Sequence, residues 1–395
     1  MNSKAFLCLF ILILPITGCI SEFNANLPTN DEQILIVEGN VVGNTEVIFY
    51  LSKSFPLNTL AIPEECFNIN ANLTIIGSNG YKSPPAIYLG KGAYRISMGE
   101  PDDNVEYGLQ IEYEGDIYQS ALSKPLHTPE IDSVSWKQPE EAGTIYFHVS
   151  THENTKGAKY YMWNYAENWE VTANNRTTIF FNTVDSTFYN DFSAPYYYCW
   201  KSDVSSRLLV GSTEALSENR IINRQLFTGD PKNDRFSVLY SVIVYQIAIG
   251  KNAFDYYRNK IVLNEEMGGL FTPQPAELRG NITCITEPSK KAMGYVEVVK
   301  NTTQKRIFID RSEITRPRIP YNCEPISNDS VLQFLTLYKG TYIDYYRMGY
   351  RPSGSSDPSH YYEVLPEAWA PWSCTECTGG NGSKNKPDFW PNDHK

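Results

Sequence analysis

Short runs of alternating apolar and polar residues, separated by turns, fill the chain from residue 34 onwards. The segments 87–89 and 93–96 flank Gly90-Lys91-Gly92, and Glu114-Gly115-Asp116 separates a second pair of such runs. Two strand-like runs joined by a glycine-containing turn are typical of a β-hairpin. About seven runs in roughly 90 residues, at the spacing of a sandwich, predict an immunoglobulin- or transthyretin-like β-sandwich over residues 34–127.

A larger and less regular β-rich region is predicted over residues 128–370. The run 159–171 alternates aromatic and polar residues with a period of two, as in a half-buried strand. The segment 234–249 is the longest β-branched run, and it predicts one long strand or a bent pair. The segments 294–299 and 305–309 predict a further hairpin.

One helix is predicted in the mature chain. Residues 251–267 carry apolar side chains at helical spacing, and Gly268-Gly269 follow as a stop signal. The last segment, residues 371–395, is rich in glycine and contains two cysteines, so it is predicted to be an irregular tail. The fold class expected from the whole sequence is therefore mainly β, with a sandwich first and a larger β-rich domain with one helix second.

The composition fits a globular β protein and excludes some partners. Hydrophobic residues make up 42% and charged residues 20%, a mixture that differs from that of disordered chains. Aromatic residues reach 13%, and this favours strands. The formal net charge of −11 argues against binding to nucleic acid and against an electrostatic attraction to anionic membranes.

The first 19 residues have the pattern of a bacterial lipoprotein signal. Lys4 supplies the positive charge, residues 6–14 form an apolar core too short to span a bilayer, and small residues lead to Cys19. Cleavage after residue 18 would leave Cys19 as a lipidated amino terminus, and two or three acyl chains anchor a protein stably. The alternative is a plain secretory signal. Residues 19–33 are polar and acidic and are predicted to be a tether.

An export signal predicts an oxidising compartment, in which cysteines form disulfides. Apart from Cys8 and Cys19, every cysteine is a disulfide candidate: Cys66, Cys199, Cys284, Cys323, Cys374 and Cys377. Sequence does not choose among the possible pairings. Cys374 and Cys377 have the spacing of redox motifs, but no helix is predicted after them, so structural disulfides are favoured over a redox or zinc site.

A dense aromatic stretch provides the candidate binding residues. It contains Trp163, Trp169, Tyr198 and Trp200 together with further tyrosines. Aromatic faces stack on sugar rings or on an apolar partner surface, and they also fill β-sandwich cores. We therefore consider two interpretations, a core position for these side chains and a platform for a glycan or peptide ligand.

The sequence contains no pattern typical of catalysis. No nucleophile elbow, zinc-protease motif, phosphate-binding loop or dinucleotide-binding fingerprint occurs. His148 and His152 are spaced so that both could contact one metal ion, but no third ligand accompanies them in a recognised arrangement. We therefore expect a protein that is not an enzyme and that has no metal and no cofactor.

Several landmarks in order along the chain resemble a family of bacterial lipoproteins catalogued as domain of unknown function 4249. They are Ile36-Val37-Glu38-Gly39-Asn40, Tyr198-Cys199-Trp200, the segment 233–238, the segment 269–275, Arg279-Gly280-Asn281-Ile282, the segment 306–311, and Cys374-x-x-Cys377 with the segment 386–390. Cys66 and Cys284 are less typical of the family and are expected to be an extra pair.

The resemblance implies an outer-membrane lipoprotein that is commonly encoded near TonB-dependent receptors, and it implies no activity. From it we expect an accessory protein, lipid-anchored on the periplasmic or cell-surface face of the outer membrane, that is a partner of such a receptor in nutrient uptake. A surface glycan- or peptide-binding protein or adhesin is the alternative, and a hydrolase with an unrecognised site is the third hypothesis.

Overall fold

The computed structural model describes residues 33–55, 63–153, 157–266, 278–318, 322–354 and 364–391, without the side chains of residues 264–266. The predicted signal peptide, Cys19 and all of the predicted tether except Gln33 lie outside these residues, as does the predicted stop signal Gly268-Gly269. Strands dominate the described part of the chain, so the mainly β class predicted from the sequence is confirmed. No helix in that part has both the length and the apolar character needed to cross a membrane.

The described residues form 24 strands and four α-helices. The strands, in chain order, are β1 (Leu35–Glu38), β2 (Val41–Val42), β3 (Glu46–Lys53), β4 (Ala71–Gly77), β5 (Ile87–Gly90), β6 (Ala93–Ser97), β7 (Tyr107–Tyr113), β8 (Asp116–Ser120), β9 (Ile131–Lys137), β10 (Ile145–His152), β11 (Tyr160–Thr172), β12 (Ile179–Asn182), β13 (Thr187–Asn190), β14 (Tyr198–Val204), β15 (Leu209–Ser212), β16 (Arg220–Gly229), β17 (Leu239–Ile249), β18 (Ile282–Cys284), β19 (Ala292–Met293), β20 (Val298–Val299), β21 (Thr303–Asp310), β22 (Ile326–Ser327), β23 (Tyr350–Ser353) and β24 (Ala368–Pro371). The helices are α1 (Lys251–Glu266), α2 (Asn328–Tyr338), α3 (Tyr342–Arg347) and α4 (Trp372–Thr375). Short 3-10 turns occur at Glu64–Phe67, Asp234–Phe236, Arg311–Glu313 and Cys377–Gly380.

The first sandwich consists of two sheets around one hydrophobic core. One sheet has the strand order β19-β1-β3-β6-β5 and the other has the order β18-β8-β7-β4. Both predicted hairpins are present, because β5 pairs antiparallel with β6 and β7 pairs antiparallel with β8. Alternate residues of each strand, such as Phe49 and Leu51 of β3 and Leu73 and Ile75 of β4, point into the core and are fully buried.

Residues 281–299 return from the second half of the chain to complete this first sandwich. β18 pairs with β8, β19 pairs in parallel with β1, and β20 pairs in parallel with β2. Asn281 fixes the return, because its side-chain amide donates to the carbonyl of Val296 at 2.8 Å and its side-chain oxygen accepts from the Val296 N–H at 2.9 Å. The boundary predicted at residue 127 does not account for this segment.

The backbone of the return segment packs very closely on its neighbours. A Cβ atom on Gly294 would lie 2.2 Å from the carbonyl oxygen of Val37, and Gly294 has a φ of +145°. A Cβ atom on Gly280 would overlap the carbonyl oxygen of Gly294 at 1.7 Å. Only glycine fits at these two positions.

A second sandwich contains the long aromatic strand. β11 pairs with β17 along ten residues, and the sheet β14-β11-β17-β21 faces the sheet β16-β10-β9 across a second core. The prediction of one long strand or a bent pair over residues 234–249 is wrong at its start, because Asn233 caps a 3-10 turn at Asp234–Phe236 and β17 begins at Leu239. The hairpin predicted from segments 294–299 and 305–309 is also wrong, because β20 pairs with β2 whereas β21 pairs with β17.

Residues 326–371 form a small lobe, and in the predicted tail, residues 371–395, the described part up to residue 391 holds only the one-turn helix α4 and a 3-10 turn after the last residue of β24. The sheet β22-β24-β23 packs with α2 and α3 around Trp369, which is fully buried and whose indole N–H donates to the Asn328 side chain at 3.0 Å. The single predicted helix is confirmed as α1, and the part of the chain that the structure describes holds three further helices. The sequence does not predict these short helices, because each has only one to three turns and lies between prolines and glycines.

Candidate functional site

A cleft of about 650 Å³ opens between the first sandwich, α1 and the second sandwich. Its volume is in the range of small-molecule binding sites. Val37–Asn40 and Tyr50 from the first sandwich form one wall, the middle of α1 forms another, and β11 and β17 form the floor. The segment 204–208, between β14 and β15, closes a further side.

The floor of the cleft follows from the alternation of side chains along two paired strands. Asn164 lies opposite Tyr245, and Met162 lies opposite Ile247. These four side chains point to the outer face of the sheet, whereas Trp163 between them points into the second core. The floor therefore combines apolar surface with one amide, whose Oδ1 accepts from the Tyr165 N–H at 2.7 Å.

The helical wall is built from buried tyrosines. Ala253, Tyr256 and Tyr257 lie three and four residues apart on one face of α1, and this face packs against the sheet. The Tyr257 hydroxyl donates to the carbonyl of Tyr295 at 2.9 Å. Burial raises the pKa of Tyr256 and of Tyr295 to about 12 and raises the pKa of Tyr257 further still, so these phenols remain neutral at physiological pH.

Glu297 connects the start of α1 to the first sandwich. Its side chain is 4% exposed, and its Oε2 accepts a hydrogen bond from the N–H of Gly250 at 2.8 Å. Burial raises the pKa of this carboxyl group above its ordinary value of 4.5, although the backbone donors at Gly250 and Val298 oppose the shift. The carboxyl group thus helps to hold the helical wall in place.

Two exposed rings and three charges line the remainder of the cleft. Tyr50 is 52% exposed and Tyr245 is 38% exposed, so both present aromatic surface to solvent. Lys260 donates to Glu38 at 2.8 Å, and this ion pair leaves no net charge. The Arg207 side chain has no ion pair or hydrogen bond with any residue of the described ranges. The cleft therefore has one net positive charge.

The candidate platform residues do not form one surface. Trp163 is 1% exposed and Trp169 is 7% exposed, so neither presents an open face, although one part of Trp163 reaches the inner wall of the cleft. The indole N–H of Trp163 donates to Gln246 at 2.8 Å, and the guanidinium of Arg235 lies 4.7 Å from the Trp169 ring. For these two residues the core interpretation is correct.

Tyr198 and Trp200 lie apart from the cleft. Both are half-buried at the start of β14, where Trp200 forms a backbone bridge with Ser383 of the C-terminal segment. The residues that do line the cleft lie far apart in sequence. No local pattern could have identified Tyr50, Arg207 and Tyr245 as neighbours.

The cysteines of the Cys-x-x-Cys motif do not pair with each other. Cys377 bonds to Cys199 and Cys374 bonds to Cys323, and all four are buried. Both bonds attach the C-terminal segment to earlier parts of the chain, which agrees with the structural interpretation of the motif. The extra pair expected for Cys66 and Cys284 is not formed, because both are buried free thiols.

The histidine pair does not form a metal site in the described part of the chain. The Nδ1 atom of His152 lies within hydrogen-bond distance of Asp132 Oδ1, at 2.6 Å, and burial lowers the pKa of His148. No group of three or more histidine, cysteine or acidic side chains in that part could hold a metal ion.

A polar cluster next to the second core holds β11, β17 and the 3-10 turn together. Glu167 is 6% exposed, accepts from the Tyr240 hydroxyl at 2.7 Å and forms an ion pair with Arg235. Arg235 also pairs with Asp203 and stacks on Trp169. Every charged group of the cluster has a partner, so the cluster is a structural element.

The chain is similar to a catalogued protein family over most of its length. A family model described as Domain of unknown function (DUF4249) matches residues 20–305. No curated protein matches the chain. Among solved structures, a segment of two fibronectin type III domains from chicken tenascin is 13% identical over 55% of this chain and 91% of that chain, with a TM-score of 0.16. A mutant of Salmonella alpha-2-macroglobulin is 8% identical over 54% of this chain and 13% of that chain, also with a TM-score of 0.16. Neither likeness bears on function.

Proposed function

The chain belongs to the DUF4249 family of domains of unknown function, and we propose that it is a non-catalytic binding protein of the bacterial outer membrane. In this proposal Cys19 carries the lipid anchor and the cleft binds a small glycan or peptide. The protein serves as the accessory of a TonB-dependent receptor in nutrient uptake, and the bound ligand is the nutrient.

The cleft is the observation that carries the proposal. It combines two exposed tyrosine rings, Tyr50 and Tyr245, with a small number of polar groups, as sites for organic ligands generally do. Its walls come from well-paired strands and a packed helix, so the site is formed before a ligand arrives. A preformed site avoids the entropic cost of ordering loops on binding.

The chemistry of the lining supports binding rather than catalysis. The buried phenols of Tyr256 and Tyr295 have a raised pKa and do not act as bases near neutral pH. The one carboxylate in the lining, Glu38, is engaged by Lys260 at 2.8 Å. A hydrolase needs an acid and a base, or a nucleophile activated by a base, and the cleft lining does not bring such groups together.

Binding in the cleft is tested with arrays of glycans and of peptides. Replacing Tyr50 and Tyr245 with alanine should weaken binding of the retained ligand by about tenfold for each ring, since stacking on an aromatic side chain contributes on the order of 1 kcal/mol beyond buried area. Tyr338→Ala is the matched control, because Tyr338 is 67% exposed on α2 and does not line the cleft. An equal loss of affinity in the control, or unaltered binding in both cleft variants, would exclude the cleft as the binding site.

Anchoring and partnership are tested in cells. A tagged protein extracted in mild detergent should co-purify with a large outer-membrane receptor, and mass spectrometry should find acyl chains on Cys19. Cys19→Ala should release the protein from the membrane fraction, whereas Cys8→Ala should leave it there. Recovery of the protein alone from intact cells would contradict the partnership, and an unmodified leader would contradict the anchor.

A further inference from the structure

The charge of the cleft has the opposite sign to that of the protein. The chain has a formal net charge of −11, yet the charged residues that line the cleft are Arg207, Lys260 and Glu38. Lys260 and Glu38 neutralise each other, which leaves the Arg207 guanidinium without a partner among the described residues. A single cation in a cleft of an acidic protein attracts an anionic ligand locally, while the rest of the surface repels it.

The position of Arg207 suits a carboxylate. It lies on the connection between β14 and β15, its side chain is exposed, and its backbone N–H is fixed by a hydrogen bond to Ser205 Oγ at 3.0 Å. The planar guanidinium fork binds a carboxylate through two parallel hydrogen bonds. The backbone anchor reduces the freedom of the loop that presents this fork.

The other lining groups favour a sugar over a peptide. Tyr50 and Tyr245 offer ring faces, while Ser206 and the Nδ2 group of Asn164 can exchange hydrogen bonds with hydroxyl groups. The strands that supply most of the walls, namely β1, β3, β11 and β17, are each paired on both sides. These strands offer no free edge along which a peptide could add as a further strand.

We infer that the cleft binds an acidic oligosaccharide, with a uronate carboxylate held by Arg207 and the adjoining sugar rings stacked on Tyr50 and Tyr245. This inference rests on the proposed function, because it assumes that the cleft is a binding site. It adds the charge and the chemical class of the ligand. It also assigns the preference for an acidic ligand to one side chain, that of Arg207.

Calorimetry on the full mature chain tests the inference with three acidic probes and one neutral probe. The acidic probes are oligogalacturonate, oligoalginate and a hyaluronan tetrasaccharide, and the neutral probe is the methyl ester of oligogalacturonate. At least one acidic probe should bind, and where oligogalacturonate binds its ester should bind at least tenfold more weakly. Affinity should fall as salt is raised, because the contact is ionic.

Arg207 variants separate the carboxylate contact from general folding. Arg207→Ala should lower the affinity for the acidic ligand at least tenfold and should change the affinity for the neutral ester less than twofold. Arg207→Lys keeps the charge but lacks the fork, so its affinity should be intermediate. Arg220→Ala is the matched control, because Arg220 is exposed on β16 and lies outside the cleft lining.

The outcomes distinguish this inference from the proposed function. Equal binding of acid and ester, or full affinity in Arg207→Ala, overturns the carboxylate contact and leaves a neutral-glycan site standing. If no acidic oligosaccharide binds while a peptide does, the ligand class is overturned and the cleft remains a binding site. If neither array yields a ligand that the tyrosine variants weaken, both the inference and the proposed function fail.

Discussion

The two disulfides close loops of very different length around similarly buried sulfur atoms, so their removal should cost different amounts of stability. Cys199–Cys377 separates its partners by 178 residues, and Cys323–Cys374 separates its partners by 51 residues. The chain-entropy relation gives about 5 kcal/mol for the longer loop and about 4 kcal/mol for the shorter one at 25 °C. All four cysteines are at most 6% exposed, so the local cost of replacing sulfur is similar for both pairs and largely cancels in the comparison.

The shorter loop lies inside the longer one, and this nesting leaves the order unchanged. With Cys323–Cys374 intact, the path from Cys199 to Cys377 shortens to about 130 residues, which still corresponds to nearly 5 kcal/mol. The paired replacements Cys199→Ser with Cys377→Ser and Cys323→Ser with Cys374→Ser therefore form a matched set. We expect the first pair to lower the free energy of unfolding by about 1 kcal/mol more than the second.

Urea unfolding followed by tryptophan fluorescence, without reductant, measures this difference. The midpoint and slope should be determined for both paired variants and for the native chain, because a changed slope would show that the unfolded state has changed in compactness. Equal losses, or a larger loss for the shorter loop, would refute the reasoning. Such a result would mean that local packing around the sulfur atoms, and not loop closure, determines the stabilisation.

Three further outcomes follow from buried groups. Arg235→Ala leaves Glu167 buried without its ion pair and should lower the free energy of unfolding by about 3 kcal/mol. The control Lys201→Ala breaks the more exposed pair with Asp234 and should lower it by less than about 1 kcal/mol. Similar losses for the two variants in urea titrations would contradict the structural role of the cluster. Gly294→Ala should lower the free energy of unfolding by more than about 3 kcal/mol, since the added Cβ would overlap the Val37 carbonyl. A thermal midpoint within a few degrees of the native value would be inconsistent with the close approach of Gly294 to Val37. The raised pKa of Glu297 makes the ionised carboxyl group costly in the folded state, so the contribution of this group to stability is present below about pH 4.5 and is lost as the pH rises through the folded pKa. Glu297→Gln should thus gain stability relative to the native chain between pH 4.5 and neutrality. A stability difference between the two proteins that is constant or declines over this range would contradict the direction of the pKa shift.

Local features of the fold were predictable from the sequence because local interactions determine them. The hairpins β5–β6 and β7–β8 depend on turn residues that lie between the two strands, and the alternation along β11 reports which side chains face a core. The helix α1 follows from apolar spacing in the same way. These patterns need no information from elsewhere in the chain.

Contacts between distant segments were not predictable from one sequence. β20 has only two residues, and nothing in Val298 and Val299 indicates that they pair with Val41 and Val42. The cleft depends on the same kind of contact, because Tyr50, Arg207 and Tyr245 line one cleft only after both sandwiches and α1 have packed. The disulfide pairing is equally non-local, and six cysteines permit many arrangements.

The return of residues 281–299 to the first sandwich also determines the order in which the protein can fold. In the proposed export route the amino-terminal part of the chain emerges first, and β1, β2 and β8 each lack a neighbouring strand until the segment that carries β18–β20 has emerged. During that interval the early product has open sheet edges, which are sites of association with other chains. Fragments that end before residue 282 are therefore expected to aggregate, and a chaperone that covers open edges would be of greatest use until the segment with β18–β20 has emerged.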